Sequence, residues 1–265
     1  MTQITALRQQ LAKRLYRALR ERQTIAPLTD DHPELTIEDA YHISLNALKL
    51  RQGDGERIIG KKIGVTSKAV QDMLGVHQPD FGFLTNWMQV KDGQNVSMAE
   101  YKLIQPRAEG EIAFILKDDL TGPGITAQDV LDATEFVVPC FEIVDSRINN
   151  WQIKIQDTIA DNASCGVFAL GSARINPRSL DLAQVELEVM KNGEPAGSGF
   201  GSAVQGHPCE AVAWLANTLG EFGIPFRRGE IILSGALAPL VPVSAGDYIS
   251  LSLSGMGTSS LRFVD

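Results

Sequence analysis

Cysteine is scarce in this chain. Three of 265 residues, Cys140, Cys165 and Cys209, with no Cys-x-x-Cys pair, argue against a disulfide scaffold and a cysteine zinc site. That usage fits a reducing cytoplasm. Positive charge is scarce too: 24 Lys and Arg face 32 Asp and Glu, a formal net charge of −8. A nucleic-acid-binding module starts from the opposite balance, so no nucleic-acid partner is expected. No apolar run reaches the roughly 18 residues that a membrane-spanning helix needs, so no membrane partner is expected either. Gly-x-Ser-x-Gly, the P-loop and Gly-x-Gly-x-x-Gly are all missing, which removes support for serine-hydrolase and nucleotide-binding readings. There is no internal repeat and no low-complexity linker. What remains is ordinary globular composition, 44% hydrophobic and 21% charged, in a chain long enough to bury a full core.

The N-terminus is basic: Arg8, Lys13, Arg14, Arg17, Arg20 and Arg22 occur with no acid before Glu21. Ile4, Leu7, Leu11, Leu15 and Leu19 recur at helical spacing. The segment reads as a first helix with a solvated basic face; an organelle transit peptide is the alternative. A second helix is predicted from Thr36, with Glu38 and Asp39 in its first turn, ending at Gly53-Asp54-Gly55-Glu56. Arg57–Ser67 reads as a strand and Ser67–Leu74 as a short helix. From about residue 100 strand-like runs dominate: 112–117, 136–144, 166–170, 185–191, 231–234, 248–253 and 260–264. Turn signals such as Asn192-Gly193 and Gly246-Asp247 punctuate them. One helix, about Pro208 to Phe222, interrupts them. The expected fold is α+β, with a helical N-terminal region (1–78) packed on a β-rich core (79–265), as one functional unit.

The most informative stretch is Gln105 to Leu116. On a strand, Glu109 and Glu111 point to one face, where two carboxylates repel unless a divalent cation or solvent compensates. Oxygen ligands of this kind favour Mg²⁺ or Mn²⁺ over zinc. Glu142 sits inside the apolar run Phe136–Val144 and needs a partner, either a cation or Arg147. Asp145 falls on the opposite face, as a strand-end residue. Lys61 and Lys62 lie between Gly60 and Gly64, where backbone can approach a ligand closely; the alternative is a pair of surface lysines. Asp80 lies in a turn-like stretch, 77–82, and Ser164 in a polar loop entering a strand. Each is a ligand contact or ordinary turn chemistry. His77 and His207 are weak signals, His207 reading as a local structural residue before Pro208.

Together these segments resemble the hydratase/decarboxylase family of the fumarylacetoacetate hydrolase-like superfamily, on the side of the 2-hydroxypenta-2,4-dienoate hydratases of meta-cleavage aromatic degradation. The residues that carry the resemblance are Ile59 to Ser67, Gln78 to Gly82, Gln105 to Leu116, Phe141 to Arg147 and Asp161 to Gly166. It runs nearly the whole length. The resemblance implies that Glu109, Glu111 and Glu142 bind Mg²⁺ or Mn²⁺ and that Lys62 and Asp80 lie beside the substrate. It also implies that Ser164 contacts substrate or an ordered water. Lys61 and Arg107, in the same segments, are assigned to substrate binding. Asp80 favours hydration, because the sister 4-oxalocrotonate decarboxylases typically carry an apolar residue there. A lysine near a metal and other cations is expected to have a depressed pKa. The implied substrate is a small 2-hydroxydienoate or its 2-oxo tautomer, and the implied assembly is a homo-oligomer, with a decarboxylase as a possible partner. A decarboxylase on the same scaffold, or a non-catalytic partner subunit of one, is the competing expectation.

Overall fold

The computed structural model describes residues 3–68, 71–72 and 75–265. Two sheets organise it. The larger has eight strands in the order β2 (Asp80–Thr85), β1 (Ile58–Gly64), β10 (Ile231–Leu233), β5 (Arg107–Leu116), β6 (Thr134–Val144), β7 (Cys165–Leu170) and β3 (Gln89–Lys91), with β11 (Val241–Pro242) pairing β5. The smaller has five, β4 (Asn95–Ser97), β13 (Gly257–Val264), β12 (Tyr248–Leu253), β8 (Glu186–Lys191) and β9 (Glu194–Phe200). The helices gather mainly at the N-terminal end, and the fold is α+β, as expected. No helix among the described residues is long and apolar enough to cross a membrane. The short helix expected over 67–74 falls in part on residues 69, 70, 73 and 74, outside the described residues.

The basic N-terminal segment is a packed helix, α1 (Gln3–Glu21), with Leu11, Ala12, Leu15 and Ala18 buried. Its basic face is solvated only in part: Lys13 and Arg17 are exposed, but other arginines are engaged. Arg8 donates to Asp39 at 2.8 Å, Arg14 to Asp31 at 2.8 Å, and Arg20 to Asp54 and Glu56 at 2.6 and 2.7 Å. Those acids come from α2 (Leu28–Asp31), from α3 (Ile37–Gly53) and from the turn after it. α3 starts with a capping box between Thr36 and Asp39. Its Tyr41 stacks on Phe81 of β2 with ring centres 4.1 Å apart. The fully buried Glu56 carboxylate also accepts from Thr85 of β2, so an ion-pair network joins the helices to the sheet.

Two local features hold the middle of the chain. Arg147 is 3% exposed. Its guanidinium donates to the Asp161 carboxylate (2.6 Å) and to the carbonyls of Asp161 (2.7 Å), Cys165 (3.0 Å) and Asp145. It thus ties the end of β6 to the start of β7 and to the loop between. The residues 162–164 all adopt left-handed backbone (φ 56°, 50° and 53°), which is costly for non-glycine residues. The Asn162 side chain offsets that cost by pairing with β2, accepting from Phe83 N (2.8 Å) and donating to Phe83 O (3.0 Å).

Some elements departed from expectation. Residues 77–82 read as a turn, yet Asp80 opens β2. The stretch Glu194–Phe200 is not among the expected strands. It becomes β9 because Asn192 and Gly193 both take positive φ and close a tight hairpin onto β8. Replacing Arg147 with Met should leave Asp161 as a buried, unpaired charge and destabilise the chain by about 3–5 kcal/mol, measurable by urea denaturation.

Candidate metal centre

Pleat parity brings the site together. In the antiparallel β5–β6 pair Glu109 lies opposite Glu142 and Glu111 opposite Cys140. β10 sets Leu233 opposite Ala113 and beside Lys62 of β1. β1 in turn sets Lys62 opposite Gly82 and Gly64 opposite Asp80. Directly paired residues share a face, so Asp80, Lys62, Glu111, Glu109 and Glu142 all project to one side. On that face they adjoin a small apolar cluster that includes Leu84, Ala113, Val138, Cys140, Phe168 and Leu233.

The three glutamates each offer a carboxylate oxygen, and all three oxygens lie within 4.8 Å of one another. Glu111 is fully buried, Glu142 is 1% exposed and Glu109 is half-buried, so the solvated-pair alternative does not hold. Glu111 Oε2 accepts from Gly235 N at 2.9 Å. Glu142 Oε1 accepts from the Cys165 thiol at 3.2 Å and lies 3.4 Å from Lys62 Nζ. Arg147, the bland alternative for Glu142, is engaged by Asp161 instead. Glu111 Oε1, Glu142 Oε2 and Asp80 Oδ1 are left buried with no partner. The orphaned oxygens of Glu111 and Glu142, within a triad whose carboxylates approach to within 4.8 Å, fit a hard divalent cation such as Mg²⁺ or Mn²⁺.

The crowding shifts protonation. Burial, then the neighbouring Glu142, pushes Glu109 up to about 8. Burial, Glu142 and Glu109 hold Glu111 well above the ordinary carboxylate range. Asp80 is pushed up to about 6 by burial, partly opposed by Lys62. For Lys62 burial pulls downward, but Glu142, Cys165, Asp80 and Glu109 outweigh it, and its pKa lies above the usual lysine value. Without a cation the surroundings of Lys62 are anionic, whereas the expected depression is that of a lysine beside a bound metal.

The remaining candidates separate. Lys61 alternates to the other face of β1, where it pairs with Glu230 and sits over the Phe226 ring; the structure does not bring it to the cluster. Arg107 shares the face of Glu109 by parity. It stacks on Trp151 at 4.4 Å and has no carboxylate partner among the described residues. Ser164 is buried, shares a hydrogen bond with the Thr158 hydroxyl at 3.2 Å, and directly precedes Cys165. Asp145 accepts the amides of Ile104 and Gln105, a bracing role at the strand end. His207 caps the helix Pro208–Glu221 by accepting Cys209 N at 3.1 Å.

Sequence reasoning missed three contributors. Cys165 holds Glu142, and Gly235 holds Glu111. Gly64 leaves room where a Cβ would strike the Asp80 carboxylate and approach Lys62 Nζ. Ser234, fully buried with an unpartnered hydroxyl, adjoins Gly235. The available signal for that pair was a polar Ser-Gly step ending the apolar run Ile231–Leu233.

Raised carboxyl pKa values mean that the folded, metal-free chain binds protons that the unfolded chain releases. Stability should fall as pH rises from the ordinary value of 4.5 towards about 8. Denaturation in a chelator across that range checks this, and saturating Mg²⁺ should flatten the dependence.

The fumarylacetoacetate (FAA) hydrolase C-terminal family model matches residues 60–264. The chain is 69% identical to a 2-hydroxyhexa-2,4-dienoate hydratase of Comamonas testosteroni over 96% of both chains. It is 60% identical to a 2-hydroxypent-2,4-dienoate hydratase of Pseudomonas putida, over 81% of this chain and 96% of that one. A 4-oxalocrotonate decarboxylase from Pseudomonas putida G7, complexed with magnesium and adipate, superposes with a TM-score of 0.95 at 36% identity, over 100% of this chain and 99% of that chain. With its acid triad on the matched strands, the chain belongs to the fumarylacetoacetate hydrolase family, among the 2-hydroxydienoate and 2-keto-4-pentenoate hydratases.

Proposed function

We propose that the chain is a divalent-metal-dependent hydratase that adds water to 2-hydroxypenta-2,4-dienoate, or a close homologue, to give 4-hydroxy-2-oxopentanoate. The observation that carries this reading is the convergence of Glu109, Glu111 and Glu142 beside Lys62 and Asp80, in a chain 69% identical to a named dienoate hydratase. The three glutamates would hold Mg²⁺ or Mn²⁺. A bound cation supplies Lewis acidity that favours negative charge on the oxygens of a 2-oxo acid.

The protein's own groups then have distinct tasks. The reaction moves a proton to C5, with loss of the C2 hydroxyl proton, and adds OH at C4 and H at C3. Asp80, pushed up to about 6, is ionised near neutral pH and can accept the proton of the attacking water. Lys62, whose carboxylate neighbours favour its charged form, donates a hydrogen bond or a proton where enolate charge develops. Arg107 on its Trp151 platform supplies positive charge on the same face, favourable to an anionic substrate. Ser164, beside the thiol that holds Glu142, fits a water or substrate contact. Three reduced, buried cysteines fit the cytoplasm as its compartment. The family resemblance supports a homo-oligomer and association with a decarboxylase partner.

The close superposition on a 4-oxalocrotonate decarboxylase favours one second reading, decarboxylation on the same scaffold. CO₂ release from 2-oxohex-3-enedioate, with no hydration of the dienoate, would establish it. For the hydratase, chelation should abolish loss of dienoate absorbance and Mg²⁺ or Mn²⁺ should restore it; full turnover in metal-free enzyme would remove the metal. Asp80→Asn should lower kcat by about 100-fold or more with metal affinity retained. In the native enzyme kcat/KM should rise through about pH 6 as Asp80 ionises, and a flat profile there would remove it as the base.

A further inference from the structure

A cleft of about 460 Å³ adjoins the acid centre. Its walls include Thr66, His77, Gln78, Pro79, Gln205 and Trp214. Two of these tie it to the centre. Thr66 packs against Gly235, whose amide holds Glu111, and Pro79 leads directly into Asp80. Gln205 stands out among them. Its side-chain Nε2 is buried with no hydrogen-bond partner. The other buried unpartnered side-chain atoms among the described residues belong to Asp80, Glu111, Glu142 and the adjoining Ser234. Its backbone is also left-handed (φ 48°), a conformation costly for a residue with a side chain. An unmade hydrogen bond and a strained backbone thus meet in one side chain that lines the cleft, which is how binding sites store preorganisation.

An amide N–H₂ requires an acceptor oxygen. A 2-oxo acid held by its C1 and C2 oxygens at the acid and lysine cluster is taken to extend its C4 towards the adjoining cleft. The oxygen that the reaction installs is at C4. We infer that Gln205 is a specificity-determining residue whose side-chain amide donates a hydrogen bond to the C4 hydroxyl of the 4-hydroxy-2-oxo acid. This rests on the hydratase reading. Gln205 then favours the hydrated product over the unhydrated 2-oxo acid.

The test compares inhibition of dienoate hydration by 4-hydroxy-2-oxopentanoate and by 2-oxopentanoate, which differ only in that hydroxyl. In Gln205→Leu the inhibition constant of the hydroxy acid should rise about three- to tenfold, the worth of one net hydrogen bond. That of 2-oxopentanoate should stay within about twofold. Gln205→Met, of similar length but without the donor, should show the same split and serves if the Leu variant folds poorly. Equal shifts for both ligands, or none, would overturn the inference while wild-type turnover keeps the hydratase reading. A selective loss of affinity for the dicarboxylate 2-oxohexanedioate, with the hydroxy acid unaffected, would overturn it in favour of a distal-carboxylate contact. Absence of wild-type hydration would overturn the hydratase reading and this inference with it.

Discussion

Like-charge repulsion at low dielectric is the constraint around which this molecule is arranged. Four carboxylates, from Asp80, Glu109, Glu111 and Glu142, share one face of a sheet with a single ammonium among them. In water such a group would disperse; here backbone pairing forbids it, because each acid sits on a strand whose register is set by many hydrogen bonds. Burial, reinforced by the repulsion, raises the proton affinity of Asp80, Glu109 and Glu111, and the compensating donors at Glu111 and Glu142 include one glycine amide, one thiol and the nearby Lys62. Filling the remaining lone pairs internally would stabilise the chain and close the space that a cation fits.

Rigidity elsewhere answers that demand. Arg147 fastens β6, β7 and the loop between them, next to Glu142 and its thiol partner. The left-handed run at 162–164 holds Ser164 and Cys165 in place only because Asn162 is clamped to β2. The arginines of α1 neutralise acids of the helical layer. Lys62 is the ammonium that lies beside the acid cluster.

The chain's pattern made much of this legible. Alternation along Gln105–Leu116 placed Glu109 and Glu111 on one face, and the apolar run around Glu142 signalled a carboxylate in need of company. Helix starts at Thr36 and Pro208 followed from capping chemistry. What could not be read depends on which strands lie side by side. Lys61 and Lys62 are equivalent in the sequence, and only pairing with β2 and β10 decides that one faces Phe226 and the other Glu142. Asp80 looked like a turn residue because its strand is short and follows Pro79. Gly235 and Cys165 act through contacts with Glu111 and Glu142, distant in sequence, and beyond the Ser234-Gly235 step no local pattern announces them.

The direct opposition of Glu109 and Glu142 across β5 and β6 has a further consequence. A slip of one residue between these strands would carry Glu142 to the far side of the sheet and dismantle the triad. A cation that needs all three carboxylates would bind one pairing and ignore the slipped ones. Metal uptake by a newly made chain would therefore act as proofreading of its strand alignment, and starvation for the ion would show first as misassembled protein.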